Sequence, residues 1–217
     1  MKKFIKTCLG IGAVLASSLL PSLASADFIN GSFEDNVVPP NSYTAFSGSD
    51  LTGWTYTSGG FGALIPNGFD GAGSYTTWHD TPAGNQYLYI AQSVTPGITL
   101  DQALTLSLGS HTLSFLQADF ASSFQTPGGA VDVTIYNPDS SVLVGPTLFT
   151  TTTYSDFIQQ SLTFTTPTEG SYDVQFTTIG GQAGIIDNVR MDAVPEPAPI
   201  AALGLGALGL LLRRRRN

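Results

Sequence analysis

Hydrophobic and polar residues alternate in short runs through the middle of the chain. In "HTLSFLQ", Leu113 and Phe115 alternate with polar neighbours, and in "VDVTIY" the residues Val131, Val133 and Ile135 do the same. A period of two places one face of a strand on a core and the other face in solvent. The pattern therefore predicts β-strands in this part of the chain.

Further runs of this kind raise the prediction to at least eight strands. They are "YLYIAQ" from Tyr87, "ALTLSL" from Ala103, "SVLVG" from Ser141, "IQQSLTFT" from Ile158 (where Gln160 interrupts the apolar face of Leu162 and Phe164), "YDVQF" from Tyr172 and "IIDNVRM" from Ile185. Turn signals such as "TPGG" and "NPDS" separate the runs. Short, evenly spaced strands without helical segments are typical of an all-β fold, an antiparallel β-sandwich of the jelly-roll type. Residues 27–86 are less regular, and we expect long loops there with one or two strands around Trp54 and Tyr56.

The N-terminus has the pattern of an export signal. Three lysines within the first six residues precede an apolar stretch, and "SLASA" ends at Ala26 with small residues where signal peptidase requires them. We expect a helical signal peptide over residues 1–26, with the mature chain beginning near Asp27. Cys8 is the only cysteine and leaves with the signal, so the exported body has no disulfide.

The charge of the body differs from that of the whole chain. Fifteen of the sixteen acidic residues lie between Asp27 and Asp192, where Arg190 is the one basic residue, so the body carries −14 rather than −8. Such a surface repels nucleic acid and anionic lipid, and it favours divalent cations. Nucleic-acid binding is therefore excluded.

Residues 194–217 form a C-terminal tail of three parts. The break Pro195, Glu196 and Pro197 comes first, an uncharged segment over residues 200–212 follows, and the cluster Arg213, Arg214, Arg215 and Arg216 comes last. As a helix the uncharged segment spans about 20 Å, against a hydrocarbon core of about 30 Å. The sequence predicts a short transmembrane helix that holds the protein temporarily, with the arginines on the cytoplasmic side.

This arrangement closely resembles the PEP-CTERM sorting signal. The resemblance implies a Gram-negative bacterium that makes extracellular polysaccharide. It also implies that exosortase, a membrane-embedded processing enzyme, removes the tail and moves the body to the cell surface or the extracellular matrix. An ordinary C-terminal membrane anchor is the alternative.

The body, residues 27–193, carries an ordered series of four short motifs. They are "INGSFED" (Ile29 to Asp35), "LTGWTY" (Leu51 to Tyr56), "AGNQYLYI" (Ala83 to Ile90) and "GIIDNVRM" (Gly184 to Met191). The series resembles the galactose-binding-like jelly-roll superfamily, to which many carbohydrate-binding modules belong. The resemblance implies a structural Ca²⁺ that joins the first and last strands, with Glu34 and Asp187 among its ligands. Alternatively, these two carboxylates cap turns or bond backbone amides.

Sugar binding requires aromatic rings that stack on the sugar and polar groups that bond its hydroxyls. The segment "YTTWHDTPAGNQY" offers Trp78, His79, Asp80, Asn85 and Gln86 in a polar loop. Trp78 is either an exposed sugar platform or a packing residue, and both interpretations stay open. Trp54, which follows a glycine at a predicted strand start, is expected in the core.

No combination of nucleophile, base and orienting residue marks a catalytic site. His79 and His111 are the only histidines, and His111 is expected to be an exposed turn residue because it follows Gly109 and Ser110. We expect a non-catalytic protein of the cell surface or polysaccharide matrix that binds carbohydrate. The alternatives are a structural matrix or biofilm protein without a ligand site, and a glycoside hydrolase with paired carboxylates.

Overall fold

The structure, a computed structural model, describes residues 26–46, 50–57, 60–69, 75–77, 80–92, 98–119, 121–122, 129–152, 156–179 and 183–194. The predicted signal helix and the predicted transmembrane helix of the tail lie outside these ranges. Within them the chain contains strands and no helix. No helix in the described ranges is long and apolar enough to cross a membrane.

Thirteen strands make up the described part of the body. In chain order they are β1 (Thr44–Phe46), β2 (Thr55–Thr57), β3 (Gly60–Pro66), β4 (Tyr75–Thr77), β5 (Gln86–Gln92), β6 (Thr99–Leu106), β7 (Gly109–Ala118), β8 (Ala121–Ser122), β9 (Ala130–Tyr136), β10 (Val142–Thr150), β11 (Ile158–Thr166), β12 (Gly170–Thr178) and β13 (Ala183–Ala193). All eight strands predicted from alternation are present. The all-β prediction is confirmed.

The strands form two packed antiparallel sheets and a small third one. The six-stranded sheet has the order β1-β3-β5-β13-β7-β11, and the five-stranded sheet has the order β10-β9-β12-β6-β2. Strands β4 and β8 pair separately. The last strand, β13, lies between β5 and β7 in the middle of the six-stranded sheet, so the closing motif occupies a central position in the body.

The main core fills the space between the two sheets. In β12 the buried residues Tyr172, Val174 and Phe176 alternate with more exposed neighbours, as the period of two predicts. Trp54 is 3% exposed, and its indole stacks on the Phe28 ring with centroids 5.2 Å apart. The prediction that Trp54 is a core residue is confirmed.

Two details of the sequence-based prediction are wrong. Residues 27–86 contain four strands rather than one or two, and β3 alone is seven residues long. His111 is 2% exposed rather than an exposed turn residue. Its Nε2 lies 2.8 Å from the carbonyl oxygen of Ser107, and its ring packs on Phe164. The hydrogen bond gives the imidazole a polar partner, and the Phe164 ring covers it. The side chain is therefore buried, although the preceding glycine and serine predict a turn.

Gln160, which interrupts the apolar face of β11, has a partner on the neighbouring strand. Its Nε2 donates to Oε1 of Gln117 at 3.0 Å, and Gln117 Nε2 donates across the sandwich to the carbonyl oxygen of Phe149 at 3.2 Å. The two amides therefore close the edge of the core between β11, β7 and β10.

Candidate functional site

The opening and closing motifs of the body lie side by side. The N–H of Val189 donates to the carbonyl oxygen of Gly31 at 2.8 Å, and a Cβ on Gly31 would lie 2.2 Å from the Val189 carbonyl oxygen. Glycine alone permits this approach. Asn30 and Asn188 both have left-handed backbone conformations, with φ of 53° and 51°, which asparagine tolerates better than most residues. The two motifs thus form one junction between the first loop and the last strand.

Glu34, in the opening motif, is held by the backbone at the start of β5. Its Oε1 accepts hydrogen bonds from the N–H groups of Asn85 at 2.8 Å and of Gln86 at 3.0 Å. Gly84, with φ of 137°, leaves room for the carboxylate, because a Cβ there would lie 2.4 Å from Glu34 Oε1. The third motif, "AGNQ", is therefore shaped around this carboxylate.

Asp187, in the closing motif, is a fully buried carboxyl group. It accepts hydrogen bonds from the hydroxyl of Thr81 and from the N–H of Asn188, the latter at 2.6 Å. Burial raises the pKa of Asp187 to about 7; the hydrogen bonds from Thr81 and Asn188 lower this pKa, and the charge of Glu34 raises it. Near neutral pH the group therefore favours a proton or a nearby cation.

The two predicted calcium ligands, Glu34 and Asp187, are close enough for the charge of one to affect the other. Carboxylate oxygens suit Ca²⁺, and a cation would offset the repulsion between two neighbouring carboxylates. The described ranges contain no group of three or more His, Cys, Asp or Glu side chains arranged to hold a metal ion. Within those ranges, further ligands would have to be neutral oxygens, and the Thr81 hydroxyl is adjacent to Asp187. These oxygen donors fit Ca²⁺. Glu34 and Asp187 also accept hydrogen bonds from backbone N–H groups, which is the alternative role. Calcium binding therefore stays a prediction.

The predicted sugar ligands do not all have free polar groups. Trp78 and His79 lie outside the described residues. Asp80 is exposed and accepts a hydrogen bond from the N–H of Gly68 at 2.6 Å. Asn85 is also exposed, and its side-chain amide lies 3.5 Å from Glu34 Oε2.

Gln86 differs from the other predicted sugar ligands because it is buried. Its Oε1 accepts the N–H of Val38 at 3.1 Å, and its Nε2 donates to the carbonyl oxygens of Phe33 and Asn36. The side chain thereby fixes the loop that follows the opening motif. This packing accounts for a glutamine here without a ligand.

A second apolar cluster covers the outer face of the six-stranded sheet, the face directed away from the main core. Most of its members lie on β3, β5 and β13, where every second side chain points outward. The buried members are Ala63, Ile65, Tyr87, Tyr89, Ala91, Ala118, Ala183 and Ile185, with Phe69 and Phe157 packed against them. The six-stranded sheet therefore has apolar residues on both faces, which a simple half-buried sheet does not.

Tyr87 is the polar member at one end of this second cluster. Its side chain is fully buried against the Phe157 ring, with centroids 5.5 Å apart, and its hydroxyl has no hydrogen-bond partner among the residues that the structure describes. Burial and the charge of Asp80 raise the pKa of Tyr87 above its usual value. Asp187 points outward like Ala183 and Ile185, which precede it on β13 at intervals of two residues. Thr81, whose hydroxyl donates to Asp187, directly follows Asp80 in the chain. Tyr87 and Asp187 thus lie in the same region of the outer face.

Along the β1–β3 edge of the six-stranded sheet, four aromatic rings form a partly exposed group that we call the aromatic patch. Tyr43 and Phe61 are 51% and 41% exposed, and their ring centroids lie 5.7 Å apart. Tyr43 also packs edge-on against Phe69 at 6.2 Å, and Phe61 packs against Tyr89 at 6.2 Å. The patch therefore presents two rings to solvent on a support of two others.

No pattern in the sequence marks the aromatic patch. Tyr43 lies in the irregular segment before β1, and Phe61 lies between two glycines, Gly60 and Gly62. The register of β3 on β5, which pairs Phe61 with Ala91, places Phe61 on the outer face. The sequence offers only a weak signal for these rings, an aromatic residue in a polar or glycine-rich segment. The same signal points to Trp78 as a sugar-binding residue.

A separate polar groove of about 530 Å³ lies at the junction of the opening and closing motifs. Its charged lining residues are Asp27, Asp35, Asp192 and Arg190. Arg190 Nε donates to Asn188 Oδ1 at 2.8 Å. The one basic side chain of the body is therefore located in an acidic groove at the junction.

Known structures share this architecture. A crystal form of the arabinose-bound MgGH51 α-L-arabinofuranosidase aligns with a TM-score of 0.54 at 14% identity, over 78% of this chain and 26% of that one. The CBM22-1-CBM22-2 tandem domain of Paenibacillus barcinonensis Xyn10C aligns with a TM-score of 0.51 at 12% identity, over 82% of this chain and 49% of that one. The chain thus spans about a quarter and about half of these two proteins. At such identities the likeness establishes the fold, a β-sandwich of the kind found in carbohydrate-binding modules.

Sequence families match both the body and the tail, while no curated protein matches the chain. The PEP-CTERM protein-sorting motif matches residues 193–216, which contain the predicted break and arginine cluster. This motif indicates a secreted surface protein processed by an exosortase. The family described as HpiC1 cyclase matches residues 25–192, the whole body. The chain therefore belongs to the HpiC1-like family and ends in a PEP-CTERM sorting motif.

Proposed function

We propose that the body binds carbohydrate non-catalytically through the outer face of the six-stranded sheet, at the cell surface or in the extracellular polysaccharide matrix. The observation that carries this proposal is the aromatic patch, in which Tyr43 and Phe61 are 51% and 41% exposed. Exposed aromatic rings grouped on one surface are unusual on a soluble domain unless they contact a partner. A sugar ring presents a flat apolar face that stacks on such rings.

The support beneath the patch favours binding because it restricts ring motion before the ligand arrives. Phe61 rests on Tyr89 at 6.2 Å, and Tyr43 is held edge-on between Phe61 at 5.7 Å and Phe69 at 6.2 Å. Tyr89 is itself buried. Binding to rings that are already ordered loses less side-chain entropy than binding to free rings.

Two of the predicted sugar ligands, Asp80 and Asn85, lie beside the same face. Asp80 raises the pKa of Tyr87, a member of the second apolar cluster, and it accepts the N–H of Gly68, which directly precedes Phe69. Asp80 and Asn85 are exposed, so sugar hydroxyls can reach their side-chain oxygens and donate to them. An aromatic floor with a few polar groups at its rim is the usual composition of a sugar site.

Glycan-array binding of the full-length protein tests this function. We expect binding to at least one polysaccharide, weakened about tenfold or more by Phe61→Ala or Trp78→Ala, because a central aromatic contact contributes about 1.4 kcal/mol or more. Leu148→Ala is the matched control, since Leu148 is 56% exposed on β10 of the other sheet. Absence of binding to every glycan, the host polymer included, would contradict the proposal and favour a structural matrix protein.

The route to the surface is part of the proposal. Signal peptidase would cleave near Ala26, the tail would hold the protein transiently in the inner membrane of a Gram-negative host, and exosortase would remove the tail. Mass spectrometry of the protein from its host determines both cleavage sites at once. We expect a chain that begins near Asp27 and lacks the Arg213 to Arg216 cluster; a chain that retains this cluster would instead support a permanent anchor.

A second candidate function, a cyclase, is favoured by the description of the HpiC1-like family. Among the described residues, Asp187 and Tyr87 are well placed for proton transfer, because Asp187 is buried beside the apolar cluster that contains Tyr87 and the Tyr87 hydroxyl has no hydrogen-bond partner there. A positioned acid could initiate ring closure in an apolar substrate by giving up a proton. No nucleophile is needed for such a step.

Ring closure of a single substrate conserves mass, and this gives a test. The full-length protein would be incubated with the organic-soluble extract of its host, and isomers would be sought as shifts in retention at unchanged mass. The cyclase candidate predicts such isomers with the wild type and none with Asp187→Asn. Unchanged chromatograms, together with glycan binding, would leave the non-catalytic function.

A further inference from the structure

We infer that the ligand of the outer face is an uncharged polysaccharide and that the protein discriminates against acidic polymers of the same backbone. This inference deepens the proposed function and rests on it. It follows from the distribution of charge in the body. Between Asp27 and Val194 the chain has no lysine and a single arginine, against fifteen acidic residues. A site for acidic sugars would need cationic partners for their carboxylates or sulfates.

The single arginine is far from Phe61, an exposed ring of the aromatic patch. Phe61 pairs with Ala91, and Ala91 pairs with Ala183, so Phe61 lies in line with the first residue of β13. Arg190 lies seven residues later on that strand. At about 3.3 Å per residue the separation along the sheet is about 20 Å, which exceeds twice the Debye length of about 8 Å at physiological salt.

Arg190 also lies in an acidic groove. Its guanidinium bonds the Asn188 side chain and shares the junction groove with Asp27, Asp35 and Asp192. A polymer carboxylate that approached it would meet three carboxylates as well. The arginine is therefore poorly placed to attract an acidic ligand.

A negative charge lies beside the aromatic patch. Asp80 is exposed, and it accepts the N–H of Gly68, which directly precedes Phe69 of the aromatic patch. Its charge repels an anionic polymer, while its carboxylate remains a good acceptor for sugar hydroxyls. Opposite charges at a binding surface attract a partner, and like charges exclude wrong partners. An aromatic floor with acidic neighbours thus selects neutral sugars.

Affinity electrophoresis of the full-length protein tests the inference with polymers that share a backbone. The matched pairs are hydroxyethylcellulose with carboxymethylcellulose, dextran with dextran sulfate, and methyl-esterified with de-esterified polygalacturonan. We expect retardation by the neutral member of at least one pair, and binding of its acidic partner at least about tenfold weaker at low salt. At high salt, where the Debye length falls to about 3 Å, this difference should shrink.

A designed cation gives a second readout. Ala45 is exposed on β1 and pairs with Ala63 of the second cluster, so Ala45→Lys adds a positive charge to the outer face. We expect this variant to gain binding to the acidic partner at low salt. Thr105→Lys, at an exposed position of the five-stranded sheet, is the matched control and should gain little.

The outcomes separate the inference from the function on which it rests. Equal or tighter binding of the acidic member by the wild type overturns the inference and leaves carbohydrate binding standing. An equal gain from both lysine variants also overturns it, because the effect would then reflect net charge rather than the outer face. Absence of binding to all six polymers contradicts both the proposed function and the inference.

Discussion

The carbonyl oxygen of Gly31 accepts the N–H of Val189 at 2.8 Å, and this contact joins the first loop of the body to its last strand. A Cβ on Gly31 would lie 2.2 Å from the Val189 carbonyl oxygen, so the backbone would have to move. We expect Gly31→Ala to lower the free energy of unfolding by about 2 kcal/mol or more, as measured by urea denaturation.

Gly68→Ala is the control for this prediction. A Cβ on Gly68 would meet nothing within 4 Å, although its φ of 73° is unfavourable for alanine. Gly68→Ala should lower the free energy of unfolding by about 1 kcal/mol, through the strained backbone conformation alone. If the two variants lose the same stability, the close approach of Gly31 to Val189 is not what the glycine serves.

The buried carboxyl of Asp187 makes stability depend on pH. Its pKa of about 7 in the folded protein lies above the value of about 3.9 for an unfolded chain. The unfolded chain therefore loses this proton first, and stability falls as pH rises from about 4 to about 7. In buffer with EGTA, we expect the free energy of unfolding of the wild type to fall by a few kcal/mol relative to Asp187→Asn over this range. A difference between the two proteins that does not change with pH would contradict the burial of this group.

The stabilisation that calcium gives should increase with pH, because calcium binds the ionised carboxylates. If Glu34 and Asp187 hold Ca²⁺, adding calcium raises the melting temperature by several degrees near pH 8 and by less near pH 5. Glu34→Gln should abolish most of the increase. A melting temperature that is the same in calcium and in EGTA at both pH values would remove the metal from this site.

Gln86 should contribute to stability rather than to ligand affinity. Gln86→Ala removes the partners of the Val38 N–H and of the Phe33 and Asn36 carbonyl oxygens. We expect a loss of about 2 to 4 kcal/mol, since these backbone groups lose their partner. Asn85→Ala is the matched neighbour: its side chain is exposed with one long contact at 3.5 Å, and it should cost under about 1 kcal/mol. Unaltered stability in Gln86→Ala, combined with lost sugar binding, would restore Gln86 as a ligand.

The strands could be predicted where one face meets the core and the other meets solvent. The run in β12 alternates for this reason. β3 could not be found in this way, because its outward residues Ala63 and Ile65 are buried in the second cluster while Leu64 is buried in the main core. A strand covered on both faces has no alternation to detect.

The junction of the opening and closing motifs could also be anticipated, because the motifs resemble a family in which they meet. The aromatic patch could not, because it depends on tertiary placement. Tyr43 and Phe61 are eighteen residues apart, and only the pairing of β1 with β3 brings them to one surface. The burial of His111 could not be predicted for the same reason, since Phe164, which packs on its ring, lies on a distant segment of the chain.

The affinity of a Tyr43→Ala/Phe61→Ala double variant tests the central claim most directly. The measurement is isothermal titration of the full-length protein with the polysaccharide that binds best on the array, beside a Leu108→Ala/Leu148→Ala double variant. The latter removes two side chains of comparable exposure, 67% and 56%, away from the aromatic patch. The account predicts that the aromatic variant loses about a hundredfold in affinity, about 2.7 kcal/mol, with its melting curve nearly unchanged, and that the leucine variant binds as the wild type does. Wild-type affinity in the aromatic variant would contradict the claim that this face binds carbohydrate.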